Sequence, residues 1–157
     1  FRLSKKPILS LEYDALKKKL EEMGIKAPIG IKDVAEAVCS IRQAKLPDPK
    51  DICNAGSFFK NPIVFDSEYK SLTQKFGKIP SFASESNCHK IPAAWLIEKA
   101  GFKGYRQGDA GVHYNQPLVL VNHGNATGKD ILSLAYKIQQ TIAERFGVKL
   151  EMEVNIV

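Results

Sequence analysis

The sequence predicts an α+β fold in which a small, mostly antiparallel sheet packs with helices, and three observations support this. Several stretches carry apolar residues at the helical period. Between them lie apolar runs too short for helices, set off by Gly, Pro and polar turns. The last residues alternate strictly, with Leu150, Met152, Val154 and Ile156 on one side and Glu151, Glu153, Asn155 and Val157 on the other, which is the period of a strand.

Taken in order, residues 13–23 read as a helix, with Leu16 and Leu20 four apart and Gly24 as its stop. Pro28 and Gly30 mark a turn, and residues 31–44 form a second helix through Ile31, Val34, Ala35, Val38 and Ile41. Leu46-Pro47-Asp48-Pro49 ends it, because proline lacks the N–H and restricts the residue before it. Residues 53–62 read as a loop in which Gly56 permits a dihedral that other residues resist. That loop leads into a short strand at residues 63–65. A modest helix at residues 68–76 follows, then a polar, serine-rich loop at residues 77–89. Pro92 suits the first turn of a helix running to Ala100. The continuous apolar run Pro117-Leu118-Val119-Leu120-Val121 reads as a strand covered on both faces. The longest helix is predicted over residues 129–146, with Ile131, Leu134, Ala135, Ile138 and Ile142 inward.

At 157 residues, with 44% hydrophobic and 25% charged residues, the chain has the composition of a soluble globular domain with a real core. No apolar run approaches the ~20 residues that a membrane helix needs, and no signal peptide is evident. The net charge of +6 favours anionic partners: nucleic acid, an acidic surface or a phosphorylated small molecule. The lysines are scattered, however, and the densest run, Lys17-Lys18-Lys19, sits beside Glu21 and Glu22 as a solvated helix face would. Cys39, Cys53 and Cys88 are an odd number without close pairing, the pattern of free thiols in a reducing cytoplasm.

Three places invite chemistry. Ser57, on a small-residue loop beside Lys60 and Asn61, has the surroundings to hold a bound group, or simply ties a turn; the nucleophile-elbow spacing is absent. Glu153 points away from the apolar side of the terminal strand. It is solvated there, unless another domain covers that face and raises its pKa. His113-Tyr114-Asn115-Gln116 precedes the apolar strand and either lines a cleft or bonds a neighbouring loop. His89, His113 and His123 have no metal-ligand spacing with the cysteines, so no metal site is expected.

Two composite motifs go further. Arg42-x-x-Lys45-Leu46-Pro47-Asp48-Pro49 followed by Asn54-Ala55-Gly56-Ser57-Phe58-Phe59-Lys60-Asn61-Pro62 resembles the signature of the UDP-N-acetylenolpyruvoylglucosamine reductases. Three further segments resemble that family in the same order: Ala94-Trp95-Leu96-Ile97, then Gly111-Val112-His113 with Gln116-Pro117-Leu118-Val119-Leu120, then Leu150-Glu151-Met152-Glu153-Val154. Phe1-Arg2-Leu3 resembles the end of the family's second flavin-domain segment. The resemblance implies that residues 1–48 are the end of the flavin-domain region with a helical linker. Residues 49–157 are then the C-terminal substrate-binding domain with its terminal catalytic strand.

In this family an enolpyruvyl ether on a UDP-sugar is reduced for peptidoglycan precursor synthesis: NADPH reduces FAD, and the flavin passes hydride to the vinyl carbon. By resemblance, Ser57 is the proton donor and Glu153 the catalytic glutamate that polarises or protonates the carboxylate end. Lys45, Asn61 and Gln116 fall on substrate-contacting positions, with Lys45 also placed to stabilise the serine alkoxide. The expected partners are the UDP-sugar and an N-terminal FAD-binding domain of the same protein, in the cytoplasm. FAD and NADPH serve the full-length enzyme, and neither is expected to bind this fragment, which should be inactive alone. Three departures stand out: Cys53 replaces a glycine, Met152 a proline, and Phe82 a tyrosine that in one branch closes over the diphosphate. Two alternatives compete: a basic nucleic-acid-binding α+β module, which lacks interleaved surface aromatics, and a cysteine-dependent acyl transferase using Cys53 with His89 or His113.

Overall fold

The computed structural model describes residue 4, residues 6–84 and residues 87–157. The chain divides into two compact units, Phe1–Leu46 and Pro47–Val157, each with its own hydrophobic core. The Phe1-Arg2-Leu3 segment lies outside the described residues.

In the first unit, α1 (Asp14–Glu22) and α2 (Ile31–Lys45) fall where the apolar spacing predicts them. Leu16, Leu20 and Ala37 form the centre of their core, with Ile25, Val34 and Ile41 packed around it. The Asp33 carboxylate accepts the Gly30 N–H at 2.7 Å. That satisfies one of the donors which the first turn of α2 leaves without a helical partner.

In the second unit the elements run β1 (Cys53–Ser57), β2 (Ile63–Phe65), α3 (Asp66–Phe76), β3 (Phe82–Ala83), β4 (Cys88–Lys90), α4 (Ala93–Lys99), β5 (Arg106–Gln107), β6 (Ala110–Val112), β7 (Val119–Asn122) and α5 (Gly128–Phe146). They build a four-stranded sheet in the order β1-β7-β6-β5 and a three-stranded sheet in the order β2-β4-β3. Every strand pair is antiparallel, so the architecture is the α+β type read from the sequence. The two interior strands of the four-stranded sheet, β7 and β6, are buried along almost their whole length. Leu134, Ala135, Ile138 and Ile142 of α5 meet Ala110, Val112 and Leu120 in one core.

Four regions depart from the sequence reading. Residues 53–57 form a strand rather than a loop. Cys-Asn-Ala-Gly-Ser carries almost no intrinsic strand preference, and pairing with β7 decides its state. Residues 77–89 are expected as one loop, yet they contain β3 and the start of β4, and β5 with β6 makes a short hairpin that the sequence reading passes over. The alternating C-terminal segment is not a laddered strand: among the described residues it makes a single bridge, Met152 to Phe59. Its alternation still governs burial, with Leu150 buried, Met152 and Val154 half-buried, and Glu151, Glu153 and Asn155 exposed.

Candidate functional site

The site is built where β1 ends. Between Asn54 and Ser57, β1 carries one more residue than β7 opposite it, which is a β-bulge. Gly56 takes up the turn at φ +76°, a left-handed value that glycine reaches without a Cβ penalty. Asn54 braces it from both sides: its Nδ2 donates to Ile52 O at 2.9 Å and its Oδ1 accepts the Gly56 N–H at 3.0 Å. Ser57 follows, paired with Val119 and exposed.

The chain's end is fastened to the residues just beyond Ser57. The Glu153 N–H donates to Phe58 O at 2.8 Å, and the Lys60 N–H donates to Glu151 O at 2.9 Å. Phe59 and Leu150, each buried to within 1%, anchor the two segments in the core. Residues Ser57 and Glu153 are thus one main-chain hydrogen bond and one peptide unit apart. Both side chains are exposed, and neither makes a side-chain hydrogen bond among the described residues. The neighbouring Glu151, not Glu153, takes the Lys60 ammonium at 3.4 Å.

Gln116 belongs to the same end of the sheet. It lies in the turn joining β6 to β7, where Gln116 O accepts the Val119 N–H at 2.9 Å and Val119 is the partner of Ser57. The turn is tied from inside by His113, whose Nδ1 accepts the N–H of Asn115 at 3.3 Å and of Gln116 at 3.2 Å. Burial, and then the nearby His123, push the His113 imidazolium down from the ordinary histidine range.

Asn61 precedes β2. Its Oδ1 accepts the Ala93 N–H at 2.8 Å, which satisfies a donor at the first turn of α4. That bond uses one of the oxygen's two lone pairs and leaves both Nδ2 hydrogens for other partners. Lys45 is the last residue of α2, in the first unit, and is exposed. Phe82 is 58% exposed and stands in register with Lys90 and Ile63 across the three-stranded sheet.

A cavity of about 410 Å³ in the second unit is lined among others by Asp48, Asp51, Arg106, His113, Tyr114 and His123. The sequence reading singles out His113 but not this enclosure, because its walls come from segments far apart in the chain. The two histidines considered as partners for Cys53 are engaged otherwise: His89 Nε2 pairs with Asp66 at 3.0 Å, and His113 holds its turn. No group of three or more His, Cys, Asp or Glu side chains among the described residues is arranged to hold a metal ion. No helix of the described residues is long and apolar enough to cross a membrane.

Residues 48–157 match the family described as UDP-N-acetylenolpyruvoylglucosamine reductase, C-terminal domain. The chain is 51% identical over 156 residues to the UDP-N-acetylenolpyruvoylglucosamine reductase of Pseudomonas syringae, covering 99% of this chain and 46% of that protein. It is 49% identical over 149 residues to the protein of the same name from Flavobacterium johnsoniae, covering 95% and 44%. The chain spans less than half the length of these curated relatives. The crystal structure of UDP-N-acetylenolpyruvylglucosamine reductase from Thermus caldophilus overlaps 79% of this chain and 34% of that one, at 27% identity and a TM-score of 0.46.

Proposed function

This chain belongs to the family of the UDP-N-acetylenolpyruvoylglucosamine reductase C-terminal domain, and we propose that it is the substrate-holding part of an enzyme reducing the enolpyruvyl ether of a UDP-sugar for peptidoglycan synthesis. The observation that carries this reading is the 2.8 Å hydrogen bond from Glu153 N–H to Phe58 O. It brings a free hydroxyl and a free carboxyl, distant in sequence, to one edge of one sheet. Residues 1–48 are assigned to the end of the flavin-binding region and its linker, and residues 49–157 to the substrate domain. The free thiols suit a cytoplasmic setting.

Within that reading, FAD and NADPH belong to the part of the protein outside this chain. When bound, the flavin supplies hydride to one carbon of the vinyl group. Charge then develops on the adjacent carbon and its carboxylate, and this chain's residues answer it. Ser57 Oγ delivers a proton to that carbon, and Glu153 acts at the carboxylate end. Asn61 Nδ2 and the Gln116 amide donate to the UDP-sugar. Phe82 offers a ring face but no hydroxyl to the diphosphate.

Nothing favours the nucleic-acid alternative. Ion pairs commit Lys19, Lys60, Lys70, Lys103 and Arg106 to acidic neighbours. The test is NADPH oxidation by the flavin-loaded full-length protein. Oxidation that requires UDP-N-acetylenolpyruvoylglucosamine is expected; oxidation indifferent to that substrate would reject the proposal.

A further inference from the structure

His113 is the one buried polar or charged residue among those described, at 8% exposure. A buried histidine is tolerated when its polar atoms are occupied. Here Nδ1 is occupied as an acceptor: it faces two main-chain N–H groups, from Asn115 at 3.3 Å and from Gln116 at 3.2 Å. A protonated Nδ1 cannot accept, so the turn requires a neutral ring with its proton on Nε2. The same turn is closed by main-chain bonds from His113 N to Val119 O at 2.9 Å and from Val119 N to Gln116 O at 2.9 Å. Val119 is the strand partner of Ser57. The imidazole therefore sets the main-chain direction at Gln116, the residue through which this turn reaches the ligand.

We propose that His113 is a positioning residue, whose neutral imidazole holds the turn that presents Gln116 to the UDP-sugar beside Ser57, so that protonating it loosens substrate binding. The proposal rests on the function argued above and adds a determinant of affinity to it. The titratable groups that share the lining of its cavity are Asp48, Asp51, Arg106, Tyr114 and His123, and the Tyr114 ring centroid lies 4.6 Å from its own. Burial and the His123 charge oppose protonation, and the folded value lies below the ordinary 6.5. The ordered turn is thus retained at pH 7 and lost as the pH falls through that lowered value.

The test uses the flavin-loaded full-length reductase, with KM for the UDP-sugar and kcat measured separately between pH 5 and 8. His113→Asn keeps an acceptor oxygen near the position of Nδ1 and does not titrate. His113→Leu removes the acceptor. In the parent enzyme KM rises on acidification; in His113→Asn that rise is abolished. In His113→Leu, KM is raised about fivefold or more at every pH, the loss of about one net hydrogen bond. In a Gln116→Ala background, His113→Leu adds nothing further to KM. An enzyme with no substrate-dependent turnover would defeat the underlying function. An active enzyme whose KM rises on acidification alike in the parent and His113→Asn forms, or in which His113→Leu and Gln116→Ala add independently, would overturn the positioning role. Should His113→Leu fail to fold, the comparison of parent and His113→Asn pH profiles still decides.

Discussion

The amide of Asn61 divides its two ends between the fold and the proposed ligand: Oδ1 accepts the Ala93 N–H at 2.8 Å, and Nδ2 has no partner among the described residues. Asn61→Asp keeps the acceptor, and its charge suits a helix start, but it removes the donor and repels a diphosphate. The expected result is a KM raised about tenfold or more with thermal stability held, because a charged group facing the wrong sign weighs more than one neutral hydrogen bond. Asn61→Ala also loses the acceptor, so stability falls by about 1 kcal/mol together with affinity. Thermal melts alongside initial rates separate the two jobs. The sequence made Asn61 conspicuous but not this division, which depends on α4 beginning 32 residues later. Gly56 is legible at this scale: among small residues it permits a dihedral that others resist, and its φ is +76°.

Helix α5 shows how an element's stability is set at its first turn. The Thr127 Oγ1 and N–H both bond the Asp130 carboxylate, at 2.6 and 2.8 Å, and the Asp130 N–H donates back to Thr127 Oγ1 at 3.3 Å. The Thr127 hydroxyl first, and its N–H second, hold the Asp130 carboxyl below its ordinary value of 3.8. Asp109 is lowered by the Asn125 N–H and then Arg106, and Asp66 by Lys70 and then His89. In each case the folded pKa lies below the unfolded one. Their contribution is therefore complete above the ordinary carboxylate value and is lost as the pH falls through the folded one. Thr127→Ala is expected to cost about 1 kcal/mol at pH 7 and distinctly less at pH 3, which urea melts at the two pH values would check. The helices were readable because apolar spacing over many residues carries strong information. Strand β1 was not, since Cys53 to Ser57 gain their strand state from β7, a partner more than 60 residues away.

At the scale of the whole molecule, the chain holds two separate cores, and its site depends on closing the second one from both ends. Phe59 and Leu150 are buried in the same cluster, and that packing fixes the register in which Glu153 bonds beside Ser57. Alternation in the last residues was visible in the sequence, and it correctly put the carboxylates outward. Its docking partner was not visible, because a single bridge to Phe59 leaves no periodic trace. The motif resemblance named Ser57 and Glu153 together; main-chain bonding supplies a physical reason for their proximity.

Ser57 carries the proposed chemistry most directly, and the decisive measurement is a two-stage stopped-flow experiment on the full-length protein carrying Ser57→Ala. Flavin reduction by NADPH is expected at the parent rate, while flavin reoxidation by the UDP-sugar falls by about 10² to 10⁴ through loss of a positioned proton donor. Reoxidation at the parent rate would remove Ser57 from the chemistry and with it the role proposed for this edge of the sheet.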